Sequence, residues 1–561
     1  MSGGALSAGT VADLLELRAG DAASGLVEVG SEDGGGGLWT WGEVVTAADR
    51  VGLWLVSVPG DGPFHVGVFM ENTPAHLFTM LGAARVGAAV VGLNTTRRGA
   101  ELARDVLHTD CRVVVTDVAG ALVLGGADLR GVPVVVVEAR TGLPVGATAA
   151  ADDVPSAGTV ARPVPEDLFM LLFTSGSTGA PKAVRMTHAR AARMADGSRW
   201  FSGDDVLYGA MPLFHGNALN AIVLPALATG ATIALRRRFS ASEFIPDCGR
   251  TGATFFSTVG RALSYVLATP PTDTDRDHRV AYGLAPESSP ADIRAFRERF
   301  GITCFTGYGS SENAIILTPV PGAPREALGR PQDGADVAVV DPDTGVECPR
   351  ARFDADGRLV NAEEAIGEIV GRNLVDRFEG YYENPEADAE RTRNGWYWSG
   401  DLGYVDEDGV FHFAGRTGDR LRVDSENFAA APVERILGRF RPAVGVAVVA
   451  VPDERTADDQ VMATIELAAG EDFDPEEFAA FLAAQPDLSA HWAPRYVRVG
   501  RLPVGATNKI DKRPLRADRW WTDDPVFWRP VRGEPYRRFT AEDLAALEER
   551  FATHGRDPRR P

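Results

Sequence analysis

The residues with the clearest chemical potential form a loop rich in hydroxyl groups and glycine. The loop reads Leu172-Phe-Thr-Ser-Gly-Ser-Thr-Gly-Ala-Pro-Lys182 and lies between two apolar stretches, 168–173 and 183–187, that predict strands. Its hydroxyl and backbone N–H donors, with the charge of Lys182, can cradle a polyphosphate. The loop is neither a Walker P-loop, since no Gly-Lys-Ser/Thr ends it, nor a G-x-S-x-G nucleophile elbow. The candidate phosphate-binding residues are Thr174, Ser175, Gly176, Ser177, Thr178, Gly179 and Lys182.

A second segment offers a carboxylate to a cation. Thr306-Gly-Tyr-Gly-Ser-Ser-Glu312 follows an apolar stretch, 302–305, that predicts a strand. A hard cation that bridges phosphate groups needs carboxylate oxygen, and one glutamate with water molecules is a common arrangement. Glu312 is therefore the candidate magnesium ligand.

Two further segments each carry a charged residue with a chemical use. In Trp398-Ser-Gly-Asp-Leu-Gly403, the glycines and apolar neighbours leave Asp401 no obvious role in a turn, and its carboxylate can accept two vicinal hydroxyls. The segment 502–512 carries Lys509, whose ammonium group is of a kind that can stabilise the negative charge that grows on a phosphorus under attack, and it is the motif resemblance given below that singles this lysine out. Lys512 and Arg513 are interpreted as surface residues.

In this order, the four segments resemble the adenylate-forming superfamily, which comprises acyl-CoA synthetases, peptide-synthetase adenylation domains and luciferases. The resemblance covers residues 39–515. It implies that the 174–182 loop holds the phosphates of ATP, that Glu312 holds Mg²⁺, and that Lys509 bridges the substrate carboxylate and the α-phosphate. It also implies nucleotide contacts for Ala285, Pro286, Tyr308, Gly309, Ser311, Asp401 and Arg416.

The same resemblance assigns residues to the acid. Met211-Pro-Leu-Phe-His-Gly-Asn217 matches a family segment whose aromatic residue and histidine line or gate the acyl pocket. Phe214 is accordingly a pocket residue and His215 a candidate catalytic residue. Phe256 is open to two interpretations, a wall of that pocket and an ordinary core residue.

Residues near position 420 are matched to the hinge and to the path of coenzyme A. Gly418 occupies the hinge position, where many relatives carry Asp or Lys and the fatty-acid-transport-protein-like group carries glycine. Ser425 and Glu426 lie where relatives form the CoA channel, and Ser425 replaces a glycine that passes close to pantetheine, so its Cβ can crowd that path. The segments 92–97, 212–217 and 311–313 most resemble the fatty-acid-transport-protein-like and actinobacterial fatty-acid or steroid-acid CoA ligases.

Length and apolar pattern predict the architecture. A chain of 561 residues exceeds what one hydrophobic core supports, so at least two domains are expected. In the first half, strand-like runs such as 88–93 alternate with helical stretches such as 75–86, which predicts parallel sheets covered by helices. The predicted fold class is α/β, with a large layered N-terminal domain of sheets and helices over residues 1–417. A smaller, mobile α+β C-terminal domain is predicted over residues 418–561.

The tail has its own signals. Two short strands are predicted at 444–451 and 460–467, and Asp474 is the expected N-cap of the helix that follows. The tryptophan-rich stretch 520–528 is expected to wrap back onto a domain before a final amphipathic helix over 541–551.

Composition bounds the partners and the compartment. A net charge of −21 argues against broad binding of nucleic acid, whose phosphates would be repelled. The four cysteines are scattered without metal-ligand spacing, which indicates buried or free thiols in a reducing compartment. The sequence carries no signal-peptide pattern and no apolar run of about 18 residues, so a cytoplasmic protein is expected. Peripheral membrane contact and a homodimer stay open.

The predicted function is that of an AMP-forming carboxylic acid–CoA ligase. It would use ATP and Mg²⁺ to activate a fatty or other hydrophobic acid, including a steroid side-chain acid, and transfer the acyl group to CoA. One alternative is an acyl-AMP ligase that loads an acyl carrier protein. Another is a non-catalytic relative that binds acyl groups or nucleotides, although every matched catalytic position bears a workable residue.

Overall fold

The computed structural model describes residues 8–30, 36–146, 162–174, 181–197, 200–286, 288, 290–324, 327–355, 359–424, 426–456, 458–505, 509–531, 533–554 and 556–559. Contacts divide the chain into two compact units. Unit 1 comprises residues 1–314 and 376–390, and unit 2 comprises residues 315–375 and 391–561. The predicted boundary between residues 417 and 418 differs from this division. It concerns which part of the chain moves, and it stays a prediction.

Unit 1 is built on two sheets in which most neighbouring strands are parallel. Its strands are β1 (Ser24–Val29), β2 (Leu38–Thr40), β3 (His65–Phe69), β4 (Ala89–Gly92), β5 (Cys111–Thr116), β6 (Val134–Val136), β7 (Leu168–Phe173), β8 (Ala183–Thr187), β9 (Val206–Gly209), β10 (Thr232–Arg236), β11 (Phe255–Ser257), β12 (Tyr282–Leu284) and β13 (Thr303–Phe305). Their spatial orders are β6-β5-β3-β4-β7-β8 and β13-β12-β11-β9-β10-β1-β2. The pairs β7–β8 and β1–β2 are antiparallel and the others are parallel, which confirms the sheets expected from the sequence.

Helices cover these sheets, and further helices lie in unit 2. They are α1 (Val11–Glu16), α2 (Trp41–Val56), α3 (Pro74–Arg85), α4 (Gly99–His108), α5 (Val118–Leu124), α6 (His188–Asp196), α7 (Gly216–Ala218), α8 (Leu224–Thr229), α9 (Phe244–Thr251), α10 (Gly260–Leu267), α11 (Pro290–Phe300), α12 (Ala362–Ala365), α13 (Pro385–Arg391), α14 (Ala430–Leu437), α15 (Pro475–Ala483), α16 (Lys512–Asp518) and α17 (Ala541–Thr553). A π-helical turn (Leu219–Val223) joins α7 to α8. None of the helices in the described part of the chain is long and apolar enough to cross a membrane.

The core of unit 1 contains a helix that is buried on all sides. Residues Pro74 to Ala84 of α3 are all buried, as expected for a helix without a polar face. Helices α3 and α2 meet at Gly82 and Gly52. The two backbones lie so close that a Cβ on Gly82 would be 2.9 Å from the backbone nitrogen of Gly52. This close crossing lets two apolar helices share one core.

The described residues of unit 2 form four sheets with mainly antiparallel pairs. Its strands are β14 (Leu317–Thr318), β15 (Arg330–Pro331), β16 (Val337–Val340), β17 (Gly367–Gly371), β18 (Tyr397–Val405), β19 (Phe411–Arg416), β20 (Arg420–Val423), β21 (Glu426–Ala429), β22 (Ala443–Pro452), β23 (Asp459–Leu467), β24 (Tyr496–Val499), β25 (Val526–Trp528) and β26 (Arg537–Arg538). Among the described residues they form β14-β15, β16-β17-β18-β19, β20-β21 and β22-β23-β24-β25-β26.

The expectations for the tail are confirmed. Asp474 accepts the N–H groups of Glu476 and Glu477 and caps α15. Trp520 and Trp528 are buried against Tyr496 of the five-stranded sheet, at ring-centre distances of 5.2 and 5.9 Å. The final helix, α17, follows and buries its apolar side in the same cluster.

Candidate active site

Several candidate residues follow the carboxyl ends of parallel strands. Strand β9 leads into the 211–217 segment, β12 into Ala285 and Pro286, and β13 into the 306–312 segment, here called the glutamate segment. The strands β13, β12, β11 and β9 are consecutive neighbours in one sheet and are parallel. Because the carboxyl ends of parallel strands meet at one edge, these segments share an edge, and open α/β sheets bind ligands at such edges.

The hairpin of β7 and β8 closes the base of the hydroxyl-rich loop. Thr174 donates from its backbone N–H and from Oγ1 to the carbonyl oxygen of Lys182, at 3.1 and 3.4 Å. Lys182 Nζ lies 2.9 Å from Glu390 Oε2 and 5.8 Å from the centre of the Tyr381 ring. The two ends of the loop are therefore held in place. Its middle lies outside the described residues, namely Ser175, Gly176, Ser177, Thr178 and Gly179.

Glu312 lies beside a buried tyrosine. Glu312 is 5% exposed and Tyr381 is 2% exposed. The Tyr381 hydroxyl donates to Glu312 Oε1 at 2.6 Å, and Oε2 has no hydrogen bond within the part of the chain that the structure describes. A carboxylate can accept more hydrogen bonds than one hydroxyl provides, so Glu312 keeps oxygen lone pairs for a cation.

A buried arginine fixes the backbone of the glutamate segment. Arg190 is 4% exposed and donates to the carbonyl oxygen of Arg185 at 3.0 Å and to that of Ser311. Tyr308 is buried in the same segment, whereas Gly309 is exposed. The nucleotide contacts predicted for Tyr308, Gly309 and Ser311 stay predictions, and Arg190 explains how their backbone is held.

An asparagine anchors the segment that carries His215. Asn72 donates from Nδ2 to the carbonyl oxygen of Met211 at 2.9 Å, and its Oδ1 accepts the N–H of Leu213 at 2.8 Å. His215 precedes α7, and its Nδ1 accepts the N–H of Asn217 at 3.3 Å. This bond gives His215 a structural role as a helix cap, while its catalytic role stays a prediction.

Phe214 and Phe256 have different surroundings. Phe214 packs across Gly92, where a Cβ would lie 3.0 Å from the Phe214 Cβ. Phe256 is 0% exposed, lies 4.9 Å from Phe244 between ring centres, and lies so close to Gly283 that a Cβ there would approach its ring to 2.2 Å. Of its two interpretations, this packing gives Phe256 the surroundings of a core residue, and its pocket role stays a prediction.

The backbone at Ala285 and Pro286, the predicted nucleotide contacts that follow β12, is well anchored. The Ala285 N–H donates to the carbonyl oxygen of Phe305 at 2.9 Å, and the Pro286 carbonyl oxygen accepts the N–H of Gly260 at 2.7 Å. Ser288 Oγ donates to the carbonyl oxygen of Ala285 at 2.7 Å. These bonds tie the end of β12 to its neighbours, as a site that uses backbone atoms requires.

In unit 2, the structure brings Asp401 and Arg416 together. They are opposite each other on β18 and β19, and Arg416 Nε lies 3.6 Å from Asp401 Oδ1. The buried carboxylate of Glu368 accepts the N–H of Gly400 at 2.7 Å and so fixes the backbone of β18 just before Asp401. Burial raises the pKa of Glu368 above its ordinary value. A carboxylate, which can accept ribose hydroxyls, therefore lies beside a guanidinium, which can pair with a phosphate.

Charge pairs tie the hinge candidate to α16. Arg516 donates to the carbonyl oxygen of Gly418 at 3.1 Å and pairs with Asp419. Lys512 Nζ lies 3.2 Å from Asp419 and 2.8 Å from Glu434. Burial acts to lower the pKa of Lys512, but the two carboxylates outweigh it and hold that pKa above its ordinary value. The interpretation of Lys512 as a surface residue is wrong, because only 13% of its side chain is exposed. The two carboxylates compensate for the burial of its charge.

Lys509 is described, whereas two further predicted residues are described only in part or not at all. Lys509 is half-buried, and its carbonyl oxygen accepts the N–H of Gly505 at 2.9 Å, which closes the turn before α16. For Glu426 only the backbone is described, in β21, and Ser425 lies outside the described residues. The catalytic role of Lys509 and the CoA channel stay predictions.

Comparison with known sequences now decides the family. The profile of the AMP-binding enzyme family matches residues 22–382, which include the hydroxyl-rich loop, Glu312 and Tyr381. The chain belongs to the AMP-binding enzyme family. This confirms the resemblance that the sequence motifs indicated.

Individual AMP-binding enzymes are similar over most of this chain. A steroid-22-oyl-CoA synthetase of Rhodococcus jostii (strain RHA1) is 50% identical over 563 aligned residues, which cover 98% of each chain. A medium/long-chain-fatty-acid–CoA ligase, FadD17, of Mycobacterium tuberculosis (strain H37Rv) is 42% identical over 84% of this chain and 89% of its own. The crystal structure of a benzoate CoA ligase from Burkholderia xenovorans LB400 is 21% identical, covers 90% of this chain and 99% of its own, and superposes with a TM-score of 0.76. That superposition confirms the predicted α/β fold.

Sequence reasoning missed three residues that hold this site. Tyr381, Arg190 and Asn72 each contact a candidate segment from a distant part of the chain, 69, 121 and 139 residues away. The only local sign for Tyr381 was the aromatic stretch Phe378-Glu-Gly-Tyr-Tyr382 just before the Pro385 that begins a helix. Arg190 and Asn72 carried no sign in the apolar pattern.

Proposed function

We propose that this AMP-binding enzyme is an AMP-forming acid–CoA ligase that acts on a hydrophobic carboxylic acid. The observation that carries the proposal is the 50% identity with a steroid-22-oyl-CoA synthetase over 98% of both chains. The geometry of Glu312, Tyr381 and Lys182 supports it, because a carboxylate and an ammonium at the base of a hydroxyl-rich loop suit a nucleoside triphosphate.

The first candidate for the acid is the carboxylated side chain of a steroid, and a medium- or long-chain fatty acid is the second. The full-length relative at 50% identity is named for a steroid-22-oyl group, while the relative at 42% is named for fatty acids. Both are largely apolar molecules with one carboxylate, so a pocket for either needs mainly apolar contact area.

The first half-reaction would join the acid to AMP. A carboxylate oxygen attacks the α-phosphorus of ATP, the bond from that phosphorus to the bridging oxygen breaks, and pyrophosphate leaves with the electron pair. In this scheme the 174–182 loop orients the phosphates, Asp401 accepts the ribose hydroxyls, and Arg416 lies beside the nucleotide. Lys509 stabilises the charge that develops on the α-phosphate, as preorganised positive groups do in such transition states.

The residues present fit a magnesium ion bound with ATP. Mg²⁺ is commonly held by one or two carboxylates together with phosphate oxygens and water, and Glu312 offers one carboxylate whose Oε2 is available among the described residues. Bound there, the ion would neutralise charge on the phosphates. Glu312 supplies the ligand, and the Tyr381 hydroxyl sets its orientation.

In the second half-reaction, the CoA thiol would attack the acyl carbon and AMP would leave with the bonding electrons. The C-terminal domain over residues 418–561 would rotate about Gly418 to remove Lys509 and admit the thiol. An acyl carrier protein is the alternative acceptor, which the serine at position 425 keeps open. Product analysis with CoA and with a phosphopantetheinylated carrier protein separates the two.

The test of the proposed function is a screen of pyrophosphate release across acids of varied length and ring content, with ATP, Mg²⁺ and CoA. We expect release with hydrophobic acids, AMP as the nucleotide product, and acyl-CoA in equal amount. The absence of acid-dependent pyrophosphate release and exchange throughout the screen would instead support a non-catalytic relative.

Replacement of Lys509 by alanine should slow adenylation by about 10²–10³-fold, since one charge that stabilises the transition state is lost. Thioester formation from supplied acyl-AMP should remain largely intact, because Lys509 acts only in the first half-reaction. The two half-reactions are measured separately, with Arg513→Ala, a change at an exposed residue of the same region, as control. Equal losses in both half-reactions would contradict the assignment.

Replacement of Glu312 by glutamine should raise the magnesium concentration needed for half-maximal activity without unfolding the protein. The amide keeps the shape of the side chain and removes its charge. Glu386→Gln, at an exposed position of α13, is the matched control. Magnesium titrations of parent and Glu312→Gln that overlay would exclude Glu312 as a ligand.

Replacement of Ser425 by glycine should change the rate of acyl transfer to CoA by less than about tenfold, or about 1.4 kcal/mol in the barrier. The reason is that a serine side chain adds only two heavy atoms to the path. Single-turnover transfer from preformed acyl-AMP measures this rate. A much larger gain would favour the carrier protein as the natural acceptor.

A further inference from the structure

We propose that Tyr381 is a positioning residue for the first half-reaction, which orients the Glu312 carboxylate toward the magnesium–nucleotide complex. The inference rests on the proposed function, since it assigns a task to a tyrosine beside the candidate metal ligand. Tyr381 lies in the segment 378–390, here called the return segment, because the chain re-enters unit 1 there after passing through unit 2.

Backbone hydrogen bonds fix Tyr381 along strand β8. The Arg185 N–H donates to the carbonyl oxygen of Gly380 at 3.0 Å, and the Tyr382 N–H donates to the carbonyl oxygen of Ala183 at 2.8 Å. These two bonds flank Tyr381, which forms a bridge with Val184. The main chain of Tyr381 is therefore held against β8, the strand that follows the hydroxyl-rich loop.

Side chains of the return segment anchor it on both sides of Tyr381. Glu379 accepts the backbone N–H of Thr187 at 2.8 Å and its hydroxyl at 2.7 Å. Asn384 donates from Nδ2 to the carbonyl oxygen of Pro181 at 3.2 Å. Pro181 precedes Lys182 at the end of the hydroxyl-rich loop. Tyr381 lies between these anchors, so its position is coupled to the base of the loop.

The Tyr381 side chain contacts both charged groups of the candidate site in unit 1. Its hydroxyl donates to Glu312 Oε1 at 2.6 Å, and its ring centre lies 5.8 Å from Lys182 Nζ. The hydroxyl occupies one side of the carboxylate and restricts its rotation, which leaves Oε2 in a defined direction. Partners of this kind commonly change metal affinity or activity by about 10–100-fold when they are removed.

The neighbouring tyrosine provides an internal control. The Tyr382 hydroxyl donates to Asp110 at 2.8 Å instead of to Glu312. Tyr382 is also buried and also lies in the return segment. A phenylalanine at either position removes one hydroxyl from a buried ring. At position 381 the lost hydrogen bond is the one to the Glu312 carboxylate, whereas at position 382 it is the one to Asp110.

The experiment compares Tyr381→Phe with Tyr382→Phe in two measurements. The first is ATP binding by calorimetry over a range of magnesium concentrations, without acid or CoA. The second is acid-dependent pyrophosphate release over the same range. In both, Tyr381→Phe should raise the magnesium midpoint by about tenfold or more, with most of the maximal rate recovered at saturating magnesium. Tyr382→Phe should stay within about twofold of the parent.

Three results with the variants would overturn the inference. They are binding curves of Tyr381→Phe and the parent that overlay, equal shifts in the two variants, and a lower rate with an unchanged magnesium midpoint, which indicates a merely structural role. ATP binding by the parent without any dependence on magnesium would overturn it as well. A parent that binds ATP with magnesium but releases no pyrophosphate with any acid would contradict the proposed function, while the calorimetric comparison still decides the role of Tyr381.

Discussion

Burial of the Glu312 carboxylate is the constraint on which the unit 1 site depends. Glu312 keeps only 5% of its surface exposed, yet in the proposed function its carboxylate binds a cation. A buried charge without partners is costly, and a hydrogen bond to a carboxylate offsets part of that cost. The Tyr381 hydroxyl, 2.6 Å away, supplies this bond and restrains the carboxylate at the same time. The same contact links the glutamate segment to the return segment, in which Tyr381 bridges β8, the strand that follows the hydroxyl-rich loop.

The parallel sheets make that contact possible. They bring the carboxyl ends of β9, β12 and β13 to one edge, so residues far apart in sequence meet there. Buried polar side chains then hold the irregular segments that leave this edge, Arg190 through the Ser311 carbonyl oxygen and Asn72 through Met211 and Leu213. Segments that carry the chemistry in the proposed function are therefore held by buried side chains of other elements.

The success of sequence reasoning followed the range of each interaction. Strands β7 and β8 have the predicted bounds, 168–173 and 183–187, because a short apolar run between turn signals is a local property. The hydrogen bond between Tyr381 and Glu312 spans 69 residues and has no local pattern. The burial of Lys512 was missed for a related reason, since Asp419 and Glu434 compensate its charge from other elements. Motif resemblance indicated the chemistry, whereas the supporting side chains needed the fold.

The most direct test of the account traces the oxygen of the acid. The enzyme is given a hydrophobic acid labelled with ¹⁸O in both carboxylate oxygens, with ATP, Mg²⁺ and CoA, and the products are analysed by mass spectrometry. Attack of the carboxylate on the α-phosphorus predicts one ¹⁸O in the phosphate of each AMP, one in each thioester and none in pyrophosphate. Label in inorganic phosphate, or AMP without label, would contradict an acyl-adenylate intermediate and with it the proposed function.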